Sequence, residues 1–212
     1  MKNVLLIGDS IRLGYQQQVA ELLEDDIHIY APEENCRFTK YCLWGMHAWM
    51  EAWGNPHIDL VHWNTGIWDL HHATADGELF TSLDEFVRDN ERMYYQMRSY
   101  ASKLVWATII PASKVLDEKV KVNALINSAE SGPAPIYLGA PQKEWNENVR
   151  RYNEAACKMY ESHGVVINDL YSTLCPDLEG NLSEDGCHPN ERGYQLLAQQ
   201  VAQTIRTQLA LH

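Results

Sequence analysis

Ser10, Asp185 and His188 are the residues of this chain whose types and spacing could do chemistry together. Ser10 closes the triplet Gly8-Asp9-Ser10, directly after the apolar run Val4-Leu5-Leu6-Ile7. A serine placed between a strand and a helix is exposed and lies near the positive end of the helix dipole. Position alone leaves two readings, an N-cap hydroxyl and a nucleophile. A phosphate loop and a nucleophile elbow are set aside, because neither GxxxxGK[ST] nor GxSxG occurs. Near the other end, Glu184-Asp185-Gly186-Cys187-His188-Pro189-Asn190 reads as a loop before a last helix. Within it, one turn brings Asp185 to His188, so that the carboxylate orients the imidazole and stabilises its cation. A serine nucleophile needs such a base, and the base needs such an orienter. Asp169, in Ile167-Asn168-Asp169 at a late strand end, is a rival orienter, and the spacing favours Asp185.

With these two motifs the sequence resembles the GDSL, or SGNH, hydrolase family, over essentially the whole chain. The resemblance implies a three-layer α/β/α, flavodoxin-like fold that cleaves esters with a Ser-His-Asp triad. Ser10 would be the nucleophile, His188 the general base and then acid, and Asp185 its orienter. The family also implies an oxyanion hole made of the nucleophile's own N–H, a glycine N–H after the second strand, and an asparagine side chain. Here Cys36, within Glu34–Thr39, stands in the glycine's place, and Gly66-Ile67-Trp68-Asp69 carries a tryptophan where asparagine is expected. Any residue but proline can donate its backbone N–H, so Ser10 and Cys36 are the expected amide donors, with Asn64 at the same strand end as substitute side chain. Asp9, Trp68 and Tyr41 are the candidate substrate contacts.

The elements that must position these groups follow from periodicity. Short apolar runs at Val4–Ile7, Ile58–Trp63, Leu104–Ile109 and Val165–Ile167, and a weaker one at Ile27–Tyr30, read as buried strands. Helical patterns fall between them at Tyr15–Leu23, Leu43–Trp53, Leu83–Tyr100, Asn146–Ser162 and Glu191–Leu209, and Ser82 with Glu85 forms a capping box. The alternation predicts a mostly parallel sheet covered on both faces, with functional groups at the carboxyl ends of its strands. The chain reads as one domain over 1–212. Residues 111–146 break the rhythm and read as an insertion or lid, with a short helix over Leu116–Ile126.

Composition narrows the function classes. Apolar residues are 45% and charged residues 22%, which suits a globular protein, and the net charge of −12 argues against nucleic acid or an anionic membrane as partner. Five cysteines, none paired as CxxC, suggest neither a disulfide framework nor a structural zinc. Cys36 and Cys187 read as small buried residues, although Cys187 beside His188 is a second conceivable nucleophile. His71-His72 with Asp59 or His62 has no metal-ligand spacing. Hence no metal and no organic cofactor is expected, and with no leader or membrane span in view the expected location is cytoplasmic. Seven tryptophans and eleven tyrosines exceed what a small core needs, so rings such as Trp68, Tyr41 and Trp145 could stack on sugars or line an acyl pocket. The expected substrate is a small or carbohydrate ester, most simply an O-acetyl group on a sugar. A lysophospholipase or acyl thioesterase, and a non-catalytic glycan-binding protein on the same fold, are the alternatives. A homo-oligomer is compatible with the exposed aromatics.

Overall fold

The computed structural model describes residues 1–23, 27–74, 76–118 and 140–211. Five strands, β1 (Lys2–Ile7), β2 (Ile27–Tyr30), β3 (Leu60–Trp63), β4 (Lys103–Ala107) and β5 (Val166–Asn168), form one sheet in the order β2-β1-β3-β4-β5, every pair parallel. Val4 to Ile7 and Leu60, Val61 and Trp63 are wholly inaccessible to solvent. These strands read as unbroken apolar runs because parallel strands between helix layers are buried on both faces. The helices are α1 (Ser10–Leu23), α2 (Thr39–Ala52), α3 (Leu83–Tyr100), α4 (Gln142–Ser162), the short α5 (Leu170–Leu174) and α6 (Glu191–Leu209). They pack in two groups, α1 against α6, and α3 against both α2 and α4. This is the three-layer α/β architecture that the alternation predicts.

The chain reverses its direction of travel across the sheet between β1 and β3, and such a switch point opens a crevice beyond the strand ends. Ile7 is paired with Trp63 in the β1–β3 register. The two strands therefore end at one level, and Gly8-Asp9-Ser10 and Asn64 leave the sheet side by side.

Several helices begin earlier than periodicity suggests, one for a local reason and two for nonlocal ones. Helix α1 starts at Ser10 rather than Tyr15 because Asp9 caps it: Asp9 Oδ1 accepts from the Ile11 amide at 2.9 Å and its carbonyl from the Leu13 amide at 3.1 Å. Helix α2 starts at Thr39 rather than Leu43 because Asp69 Oδ2, thirty residues away, accepts from both the Thr39 amide and its hydroxyl at 3.0 Å. Helix α4 starts at Gln142 rather than Asn146, where the Gln142 amide donates to Asp117 Oδ1 at 2.6 Å. Helix α3 begins as expected, with the reciprocal Ser82–Glu85 box in place.

Of the segment 111–146, residues 119–139 lie outside the described residues, and with them most of the helix expected over Leu116–Ile126. The flanks are anchored in the core. Ala112 and Leu116 are fully buried, and the Asn146 carboxamide both accepts from the Ala112 amide and donates to its carbonyl, at 2.8 and 2.9 Å.

Gly8 is the tightest point of the strand-end layer. A Cβ there would lie 2.3 Å from Asn64 Oδ1 and 2.6 Å from Arg12 Cβ, closer than any relaxed contact. Gly8→Ala is expected to destabilise the fold by about 1–3 kcal/mol, the usual cost of overpacking. Urea unfolding of the two proteins measures it.

Candidate active site

Ser10 occupies the first position of α1, and because Asp9 supplies the cap its hydroxyl is left for other work. It meets His188, with Oγ 2.8 Å from Nε2 across a sequence separation of 178 residues. His188 Nδ1 lies 2.6 Å from Asp185 Oδ2. With Nδ1–H donating to that carboxylate, the Nε2 lone pair faces Ser10 and accepts its O–H. The other carboxylate oxygen of Asp185 accepts from the Ser183 hydroxyl at 2.9 Å and from the Cys187 and His188 amides, each at 2.8 Å.

The loop that carries the base is braced from both sides. Ser183 and His188 are tied by an amide-to-carbonyl bond of 2.7 Å, and Gly186 O accepts from the Ser113 amide at 2.8 Å. Gly186 has φ 75, and a Cβ there would lie 2.4 Å from the Leu116 amide nitrogen, so a glycine is required on both counts. Below the loop, α1 and α6 approach so closely at Gly14 that a Cβ would overlap the Tyr194 ring, at 2.1 Å. This contact draws the loop before α6 over the start of α1.

The charges follow from these bonds. Burial works to raise the Asp185 carboxyl, but its bonds from His188, the two loop amides and Ser183 outweigh it and hold the group well below the usual carboxylate range. The hydrogen bond to Asp185 raises His188 above 6.5, against a smaller opposing effect of burial. Asp9 is pushed up to about 6 by burial, with the Ile11 amide and the Asn64 side chain pulling the other way.

Comparison with solved structures bears on the fold that carries this geometry. The chain aligns with a lipase/acylhydrolase from Enterococcus faecalis at TM-score 0.70 and 18% identity, covering 98% of this chain and 96% of that one. It aligns with an acetyl xylan esterase at 0.71 and 16%, covering 96% and 99%. A GDSL-like lipase from Bacteroides thetaiotaomicron gives 0.66 and 14%, covering 97% and 88%. The fold is that of the GDSL/SGNH hydrolases. No protein-family model and no curated protein sequence matches the chain.

On this SGNH fold, three of the sequence-derived site residues have other work. Asp9, expected to touch substrate, is wholly buried as the cap of α1. Asn64, expected as an oxyanion donor, turns its carboxamide into the same layer: Oδ1 accepts from the Tyr15 hydroxyl at 2.9 Å, and Nδ2 donates to Asp9 Oδ1 at 3.3 Å. The Cys36 amide is spent on the Gly8 carbonyl at 3.2 Å, tying the β2–α2 loop to the end of β1. One residue on, Arg37 holds φ 50, the left-handed conformation that glycine favours, and its amide donates to Asn35 Oδ1 at 2.8 Å. Position along the motif could not tell Cys36 from Arg37; backbone conformation does.

Trp68 is half-buried in the turn Trp68–Leu70 and neighbours His71, whose ring is in turn 5.8 Å from Trp145. Tyr41 lies on α2, its hydroxyl donating to Glu34. Asp169 caps α5 through the Ser172 amide and accepts from Thr108, so it does not serve His188. Cys187 is buried and its thiol is pushed up to about 12, which leaves Ser10 as the nucleophile candidate. Asp59 pairs with Lys2, and His62 is bonded to Asn168, so neither joins His71-His72. Ser183, Tyr15 and Arg12 are supports that no local motif announced. Arg12 is fully buried and donates to the Gly8, Pro32 and Glu34 carbonyls.

Two predictions concern this geometry. His188 must be neutral to accept a proton, and its folded value is raised above 6.5. The pH profile of kcat/KM should therefore fall on the acid side with a midpoint above 6.5 and level off at higher pH. Asp185→Asn should lower kcat about 10³–10⁴-fold and move that midpoint to lower pH, because the bond that raises His188 is lost while its burial remains. Initial rates on a 4-nitrophenyl ester between pH 4 and 9 test both.

Proposed function

We propose that this protein is a serine hydrolase of carboxylic esters, and that its substrate is an O-acetyl group on a carbohydrate. The observation that carries the reading is the continuous relay from Ser10 Oγ through the His188 ring to Asp185. His188 Nε2 takes the Ser10 proton as Oγ bonds to the ester carbonyl carbon. The negative charge on the carbonyl oxygen is met by the Ser10 amide in the first turn of α1, where amides have no partner within the helix. Arg37 is the second amide in this reading, once Asn35 gives it up. The tetrahedral intermediate expels the sugar oxygen, which takes the proton from His188. Water, deprotonated by the same ring, then attacks the acetyl-Ser10 ester and releases acetate.

The acetyl-sugar assignment rests on two supports. One of the similar solved structures is described as an acetyl xylan esterase. In addition, Trp68 and Phe38 place aromatic faces on the loops that follow β3 and β2. The similar lipase/acylhydrolase makes a longer acyl chain the competing reading. A 4-nitrophenyl ester series from acetate to palmitate, run on wild type and Ser10→Ala, separates the two. Acetate should be the best substrate, and Ser10→Ala should lose at least about 10³-fold in kcat. Equal turnover by both proteins would overturn the nucleophile. A palmitate optimum would favour the lipase-like reading, and lack of labelling by a fluorophosphonate would favour a non-catalytic binder.

A further inference from the structure

Aromatic rings on the loops that follow β2 and β3 and on α2 form a surface strip. Phe80 and Phe38 have ring centroids 4.9 Å apart, Phe38 and Tyr41 6.1 Å, and Tyr41 and Trp49 6.2 Å. Trp44 follows one turn after Tyr41 on α2 and is 85% exposed, and Phe80 is 39% exposed. Adjacent exposed apolar groups on a soluble protein mark a binding surface, whereas scattered ones do not. The strip starts at the catalytic rim. Phe38 belongs to the loop that Cys36 ties to Gly8, and Phe80 is held by its amide to the His71 carbonyl at 2.7 Å. From there it descends the exposed side of α2.

Polar groups are set among these rings. The Glu34 carboxylate accepts from the Tyr41 hydroxyl and from the Trp49 indole N–H at 3.0 Å, which fixes both ring planes. The Arg37 guanidinium lies 5.0 Å from the Tyr41 ring centre. A lipid chain would need an apolar trough free of such groups. A pyranose fits better, since its C–H face packs on an aromatic face while its hydroxyls meet the carboxylate and guanidinium around the ring edges. The net charge of −12 works against a polyanionic glycan.

We propose that the strip Phe80, Phe38, Tyr41 and Trp44 binds a neutral oligosaccharide chain, so that the enzyme holds several sugar units beyond the one it deacetylates. The role of the chain as substrate rests on the esterase reading above, but its binding does not. The test is therefore made by calorimetric titration, without turnover, with xylohexaose, cellohexaose and xylobiose. The proteins compared are wild type, Trp44→Ala, Trp44→Phe and, as a surface control on α1, Leu22→Ala, each checked for folding by circular dichroism.

Wild type should bind at least one hexaose more tightly than xylobiose. Trp44→Ala should weaken hexaose binding about three- to tenfold, the loss expected of one aromatic contact, while Trp44→Phe keeps most of it and Leu22→Ala all of it. Binding of neither hexaose, equal affinity for hexaose and biose, or no change in Trp44→Ala overturns the proposal. So does a wild-type dimer that becomes monomeric in Trp44→Ala, since the strip would then be a self-contact. Hexaose binding without ester hydrolysis would sink the esterase reading alone, and ester hydrolysis without hexaose binding would sink the strip alone.

Discussion

A carboxylate sealed from solvent sits at the turn between β1 and α1, and two parts of the chain meet at one of its oxygens. Asp9 Oδ1 receives the Ile11 amide and the Asn64 carboxamide, and Asn64 in turn receives the Tyr15 hydroxyl. Burying a charge is costly unless donors surround it, and here one oxygen is served while Oδ2 has no partner among the described residues. The group answers by titrating near 6 rather than in the usual carboxylate range. What the arrangement secures is local. Helix α1 is capped without using the Ser10 hydroxyl, and the end of β3 is pinned to the end of β1. Arg12 extends the same layer sideways by gathering the carbonyls of Gly8, Pro32 and Glu34, which holds the β2–α2 loop against the Ser10 turn.

His188 is brought to this platform by helix packing rather than by the sheet. Glycine at position 14 lets Tyr194 lie directly over α1, and glycine at 186 lets the His188 loop rest on the backbone of Leu116. Two missing side chains thus set how near the loop can come. A bulkier residue at either site would move the imbalance to the 2.8 Å bond between Ser10 and His188, where the reach of a hydrogen bond allows only a few tenths of an ångström.

The parts of this design that could be read from residues alone are the local ones. The strands are legible because burial on both faces leaves runs such as Val4–Ile7 unbroken, and the Asp185–His188 pair is legible because the two residues share one turn. What escaped notice depends on residues far apart in sequence. The start of α2 is set by Asp69, a partner that periodicity cannot reveal. Cys36 and Arg37 are neighbours, and only the φ of each tells which takes the glycine-like role. Asn64 has the right chemistry and the right strand end, but the side chain of Tyr15 and the bare Cα of Gly8 turn it inward. Asp9 adjoins Ser10, yet successive residues of extended chain face opposite ways, and Asp9 faces inward.

The separation of Ser10 from His188 also bears on how the protein is made. Ser10 and His188 lie 178 residues apart in sequence, and α6 must pack on α1 before the two can meet. A growing chain on the ribosome therefore carries Ser10 without its hydrogen-bond partner until the segment that holds His188 has been made. The contact between the two side chains is a property of the folded chain alone, absent while the polypeptide between them is still being made.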